Sequence, residues 1–183
     1  DQFEVIGFAI KEDDNETHWF TGTDDEIREC LARYDWETSY VVGHNMRFDG
    51  AILSWRYDIH PRGLGDTMGM GQILHGLTSG VSLAALSELY GVGEKGTEVL
   101  NALGKRRSDF TPTEFAAYAN YCVNDVELTH KLFKSMLTKF TKSELKLIDL
   151  TMRMFTEPKL VIDKGLLLRH LQKVRETKAK LLA

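Results

Sequence analysis

Cysteine is nearly absent: Cys30 and Cys122 are the only two in 183 residues, far apart and without Cys-x-x-Cys or Cys/His ligand spacing. That argues against a disulfide scaffold or a zinc ribbon, and two reduced thiols in an intracellular, cytoplasmic protein are expected. No apolar run approaches membrane-spanning length and no signal peptide opens the sequence, so no membrane partner is expected. Basic charge is not in excess either. A net charge of −4 argues against a generic nucleic-acid coat, which would be basic. It leaves room for an enzyme that handles nucleic acid locally while concentrating acid at a metal site. Internal repeats and low-complexity tracts are also missing.

What is present suffices for a sizeable core: 43% hydrophobic and 27% charged residues, read as one domain with a C-terminal appendage. Apolar runs predict strands at "EVIGFAIK" (4–11), "THWFTG" (17–22) and "TSYVVGHN" (38–45). A short helix through "DDEIRECLARY" is capped by Thr23 or Asp24, and another follows the third strand through "FDGAILSWRYDI". "PRGLGDT" ends in a short extended piece, and the helices "MGQILHG" and "SLAALSELYGV" come next, the latter begun by Ser82 and stopped by Gly91 or Gly93. Residues 93–108 read as loop with one short helix. "TPTE" (111–114) is a capping box that opens a long helix with apolar positions at Phe115, Tyr118, Cys122, Val126, Leu132, Met136 and Phe140. Two amphipathic helices, "SELKLIDLTMRMF" and "DKGLLLRHLQKVRETKAKLL", flank Pro158 and an extended "KLVID". Early strands and a helical second half predict an α/β or α+β class.

Three acids stand at element edges: Asp49 after a strand, Asp66 in a turn, and Asp125 within the long helix, four residues after Tyr121 on the same face. An unpaired carboxylate beside an apolar stripe is costly and needs a cation, a metal or a fixed donor. Strand-to-helix junctions expose side chains at one end of a sheet, where open α/β sheets place their sites. Converging carboxylates repel unless divalent ions neutralise them, and Asp without His or Cys company points to Mg²⁺ or Mn²⁺. Paired ions are the usual apparatus for displacement at phosphorus. Plainer readings stand beside these. Asp125 is then a solvated helix acid, Asp49 a first-turn acid complementing a helix dipole, and Asn45 a turn former. Asp66 reads as a turn or cap residue, with support of metal ligands as its alternative. His44, His75 and His130 lack ligand spacing and read as structural or exposed. "KRR" (105–107) is either a solvated run or a phosphate contact. Met68, Met70 and the aromatics of "HWF" read as core.

"HNMRFD" (44–49) resembles the second motif, N-x-x-F-D, of DEDD-type 3′–5′ exonucleases, and "YCVND" (121–125) resembles the third, Y-x-x-x-D, of the DEDDy subgroup. "GDTMGMGQILHGLTSGVSLAALSELYGV" is similar to the stretch between those motifs in proofreading domains of family A DNA polymerases. The tail from "ELKLIDL" onward is similar to the segment leading to the polymerase domain, most like phage enzymes. The resemblance implies an RNase H-like mixed sheet flanked by helices. It also implies an exonuclease domain over 1–140, N-terminally incomplete, and a helical connector over 141–183. Asp49 and Asp125 would be metal ligands for two divalent cations, Mg²⁺ or Mn²⁺, so a metal rather than an ion pair is the expected partner of Asp125. Tyr121 would orient the attacking water, and His44, Asn45 and Phe48 would hold the terminal nucleotide. The implied partners are the 3′ end of single-stranded DNA and a polymerase domain of the same parent chain.

The family's first motif, D-x-E on the first strand, has no counterpart; Asp1 and Glu4 are spaced D-x-x-E and read as chance acids. Trimming of the chain is the favoured explanation over loss of the motif. In the resembled fold that strand lies between 4–11 and 38–43, so a gap is expected there, and direct pairing of the two would contradict the alignment. Two further readings remain: an inactive exonuclease-fold module with an architectural or DNA-binding role, and a stand-alone ribonuclease related to RNase D.

Overall fold

Two short ladders carry the strand content of the computed structural model, which describes residues 3–76, 79–96 and 104–182. β1 (Phe8–Ile10) and β2 (His18–Phe20) pair antiparallel, with Phe8 opposite Phe20. β3 (Tyr40–Gly43) and β4 (Gly63–Asp66) pair in parallel, with Gly43 opposite Asp66. A parallel pair needs a crossover. Here it is α2 (Met46–Ala51), continued by a π-helical turn at Ile52–Arg56.

The other helices begin where their caps say. α1 (Asp24–Leu31) opens with a Thr23–Glu26 capping box, α5 (Pro112–Leu137) with a Thr111–Glu114 box and proline in its first turn, and α6 (Lys142–Thr156) with a Thr141–Glu144 box. α3 (Thr67–His75) is capped by Asp66, and α4 (Leu83–Tyr90) by Ser82. Gly91 ends α4 in the left-handed region, which glycine enters at no steric cost. α7 is Lys164–Leu182. No helix among the described residues is long and apolar enough to cross a membrane.

The α/β class is as expected, and the lack of pairing between β1 and β3 agrees with the gap expected between them. Among the described residues β1 bonds only β2 and β3 only β4, so the sheet exists as two separate pairs. The contradicting alternative, direct pairing of β1 with β3, does not occur. Of the strand expected over 4–11 only Phe8–Ile10 is laddered, because β2 offers a partner over just three residues. The helix expected from Phe48 begins earlier, at Met46, because Asn45 turns the chain in the left-handed conformation. Of the segment 93–108, Arg107–Asp109 forms a 3₁₀ turn; residues 97–103, like Asp1, lie outside the described residues.

The main core gathers Met70, Leu83, Leu86, Leu128, Leu132, Met136 and Ile148 from α3 to α6. Leu128, absent from the expected stripe of α5, is central to it. The N-terminal half of α5 instead joins an aromatic group, where Trp19 meets Phe115 and Tyr118 edge-on. Asp125 lies where one half gives way to the other. The β1–β2 hairpin is tied to α5 by Lys11, whose Nζ is 2.8 Å from Glu127 Oε1, and by a short Thr17–Glu127 hydrogen bond.

α6 is clamped to β4. Asp149 accepts from the Leu64 backbone N–H at 2.8 Å and from Arg153 Nε at 3.0 Å, and Arg153 also donates to the Pro61 carbonyl at 2.6 Å. Ile148, Met152 and Thr156 are buried behind this clamp, whereas α7 buries none of its side chains. A recess along α7, lined by His170, Val174 and Leu181, is the flank of that unpacked helix and holds no acid. Replacing Asp149 by Ala would strand the Leu64 N–H and one face of Arg153. The expected cost is about 2 kcal/mol in urea unfolding, the scale of a charged hydrogen bond lost from a part-buried site.

Candidate active site

Both strands of the β3–β4 pair end in residues that organise the acids. Asp66, only 4% exposed, closes β4, and its carboxylate accepts four backbone N–H groups. Asn45 (2.8 Å) and Met46 (3.2 Å) donate from the start of α2, and Met68 (3.3 Å) and Gly69 (3.1 Å) from the start of α3. A buried anion facing two helix N-termini is compensated by oriented N–H groups rather than by a countercharge. The left-handed backbone of Asn45, φ 66°, aims its N–H at that carboxylate. Asn is among the few non-glycine residues that adopt this conformation readily. The cap reading of Asp66 and the turn reading of Asn45 are what the geometry displays.

Thr67, fully buried, sits 3.2 Å by its hydroxyl from the Gly43 carbonyl and 2.9 Å from His44 Nδ1. His44 Nε2 is buried, with the Val81 backbone near the ring. Burial holds the imidazole below its usual range; Lys95 adds to this, while Asp66 and Asp125 oppose it. His44 is therefore a neutral ring at pH 7. Gly43 allows the first turn of α2 to close onto the strand end, because a Cβ there would stand 2.7 Å from Met46 Sδ and 3.5 Å from Asp49 Oδ2.

Asp49 rides on that first turn. Its side chain is exposed to solvent, with protein mass close around it. Desolvation, then the charges of Asp66 and Asp125, push its carboxyl up to about 6. Phe48, its neighbour, is 59% exposed, a large ring in water beside the acid.

Asp125 and Tyr121 come from α5, one turn apart, and a single side chain bridges them. Lys95 Nζ stands 2.5 Å from Asp125 Oδ2 and donates to the Tyr121 hydroxyl at 2.7 Å. The other oxygen, Asp125 Oδ1, is buried and unpartnered. The expectation that a metal, not an ion pair, would compensate Asp125 is thus corrected in part: an ammonium holds one oxygen and nothing holds the second. Between the acids lies Cys122, whose thiol is pushed up to about 11 by burial and by the charges of Asp125 and Asp49. Asp49, Asp66 and Asp125 share one electrostatic neighbourhood.

Of the expected site residues, Asp49, Asp125, Tyr121 and His44 converge there. Asn45 enters through its backbone, and Phe48 faces solvent. Among the described residues no group of three or more His, Cys, Asp or Glu forms a metal cage. The orphaned Asp125 oxygen fits one hard divalent ion once the ammonium leaves its partner oxygen. Asp49 and Asp125 alone do not make a ligand set for two. Sequence reasoning missed Lys95, Thr67 and Gly43. Only the need of Asp125 for a countercharge could have flagged Lys95. His75, bonded to the Tyr90 hydroxyl, and His130, 3.5 Å from Asp14, are structural or peripheral as expected. Lys105 of "KRR" pairs with Glu114 at 2.9 Å.

The raised carboxyl of Asp49 has a sign. Its folded value lies above the unfolded one, so the fold binds more protons between about pH 4 and 6 and loses stability as pH rises through that window. Asp49→Asn is expected to flatten this slope and to gain about 1 kcal/mol at pH 7, a figure discounted for the solvent contact of the side chain. Urea unfolding at pH 4.5 and 7 checks it.

A family model described as 3′–5′ exonuclease, of the family A DNA polymerase type, matches residues 26–141. No curated protein and no solved structure matches the chain. The matched stretch runs from α1 through α5 and contains the strand exit with Asp49, the Asp66 cap and the Tyr121–Asp125 turn. The chain belongs to the 3′–5′ exonuclease domain family of family A DNA polymerases.

Proposed function

We propose that this domain hydrolyses the 3′-terminal phosphodiester of single-stranded DNA, releasing nucleoside 5′-monophosphates, and proofreads for a polymerase domain of the same parent chain. A cytoplasmic setting in phage or bacterial replication follows from that role. What supports the reading is the family match over residues 26–141, with Asp49 just past the β3 strand exit and Tyr121 one turn from Asp125 inside it. Unpaired ends are favoured because they cost least to draw into a site.

Each residue has a task in this reading. Phe48 offers an exposed ring for the terminal base to stack on. The Asn45 side chain, at the turn beside it, holds the terminal nucleotide. The Tyr121 hydroxyl, fixed by Lys95, orients the attacking water. Asp49 and Asp125 would hold Mg²⁺ or Mn²⁺; when bound, such ions neutralise charge developing at the phosphodiester. The two-ion mechanism needs more carboxylates than this pair, and the family's D-x-E strand between β1 and β3 would bring them. α6 is packed into the core, so the part of 141–183 that can reach a polymerase domain is the segment after Thr156.

A second reading, an inactive module with an architectural role, draws on the same incomplete ligand set. Activity separates the two. Release of monophosphates from single-stranded DNA, with Mg²⁺ or Mn²⁺ and with EDTA, is expected to be very weak for this chain and to rise by orders of magnitude when D-x-E is supplied upstream. An extended protein without activity would favour the architectural module. In the active form Asp125→Ala abolishes cleavage, whereas Tyr121→Phe lowers kcat about 10- to 1,000-fold, the scale of one positioned catalytic group. A Tyr121→Phe variant at full rate would remove the hydroxyl from the mechanism.

A further inference from the structure

The lysine on Asp125 is anchored from behind. It comes from the segment after α4, whose backbone is pinned to α5 where Asn124 Nδ2 donates to the Glu94 carbonyl at 3.0 Å and Lys131 Nζ to the Val92 carbonyl at 3.5 Å. Lys95 then reaches back along the face of Tyr121, its Nζ 4.7 Å from the ring centroid, and ends on Asp125 Oδ2. About a quarter of each charged side chain is exposed, 23% for Lys95 and 25% for Asp125. A part-buried pair this close is screened little by salt.

We infer that Lys95 is the resting counter-ion of Asp125 and controls its loading with divalent cations. The inference rests on the exonuclease reading of Asp125 and adds a residue to it. The ammonium stands on the carboxylate that a divalent ion would use. Two such positive centres around one carboxylate repel strongly in a partly dehydrated site. The cation therefore gains Asp125 only as Lys95 withdraws. The arrangement also lets α5 fold without metal, because a buried acid lacking any countercharge would oppose folding. The unpartnered Oδ1 is shielded from solvent, so an ion reaches it only when the pair opens.

The competition is measurable without turnover. Mn²⁺ binding, followed by calorimetry and by the loss of the free-ion paramagnetic resonance signal, is compared in the wild-type chain, Lys95→Met, Asp125→Asn and the double variant. Lys95→Gln repeats the test with a polar, uncharged side chain, and circular dichroism establishes folding. Both lysine variants are expected to bind Mn²⁺ about tenfold tighter or more, the effect of removing one close like charge. The gain should vanish in the double variant. Mn²⁺ should also raise the Tm of Lys95→Met more than that of the wild type. Unchanged or weaker binding in both lysine variants, with binding still dependent on Asp125, overturns the role of Lys95 and leaves the metal reading standing. Absence of Asp125-dependent Mn²⁺ binding in every protein, and again when D-x-E is supplied upstream, overturns both.

Discussion

One buried carboxylate sets the geometry on which the rest depends. Asp66 draws the first N–H groups of α2 and α3 onto a single anion, so two helices start from one point at the end of the β3–β4 pair. The residue after it, Thr67, extends the tie to Gly43 and His44. Without that anchor the first turn of α2 would have no fixed place, and Asp49 would have none either. Helix dipoles and oriented N–H groups make the charge tolerable inside the protein. The same charge then acts outward and, with Asp125, disfavours ionisation of Asp49.

The three acids are thus solvated in three ways. Asp66 is satisfied by backbone, Asp125 is half satisfied by Lys95, and Asp49 is left exposed with a raised carboxyl. Incomplete compensation is expensive for folding, and it concentrates where chemistry is expected. α5 serves both ends: Leu128, Leu132 and Met136 fix it in the core, while Asp125 and Tyr121, one and two turns before Leu128, meet Lys95.

Much of this was legible in the sequence because it is local. The capping boxes at Thr23, Thr111 and Thr141, the Ser82 cap and the Gly91 stop are short-range hydrogen-bond rules, and the helices begin and end at them. Asp49, Tyr121 and Asp125 stand out by spacing against strand ends and helix faces. What was not legible depends on pairing across the chain. The length of β1 is set by β2, the pairing of β4 with β3 by a crossover, and the Leu128 face of α5 by α3 and α4. Lys95 is the sharpest case. It is 30 residues from Asp125, in a stretch with no periodicity, and only the folded backbone brings the two together.

The most direct test of the account is whether Asp66 is an anchor and not a metal ligand. Urea unfolding and Mn²⁺ binding of Asp66→Asn, beside the wild type, decide it. Replacing one carboxylate oxygen by an amide that cannot accept from the helix N–H groups is expected to cost about 2 kcal/mol or more with no Mn²⁺ present. Unchanged stability together with lost Mn²⁺ affinity would contradict the account and make Asp66 part of the metal site.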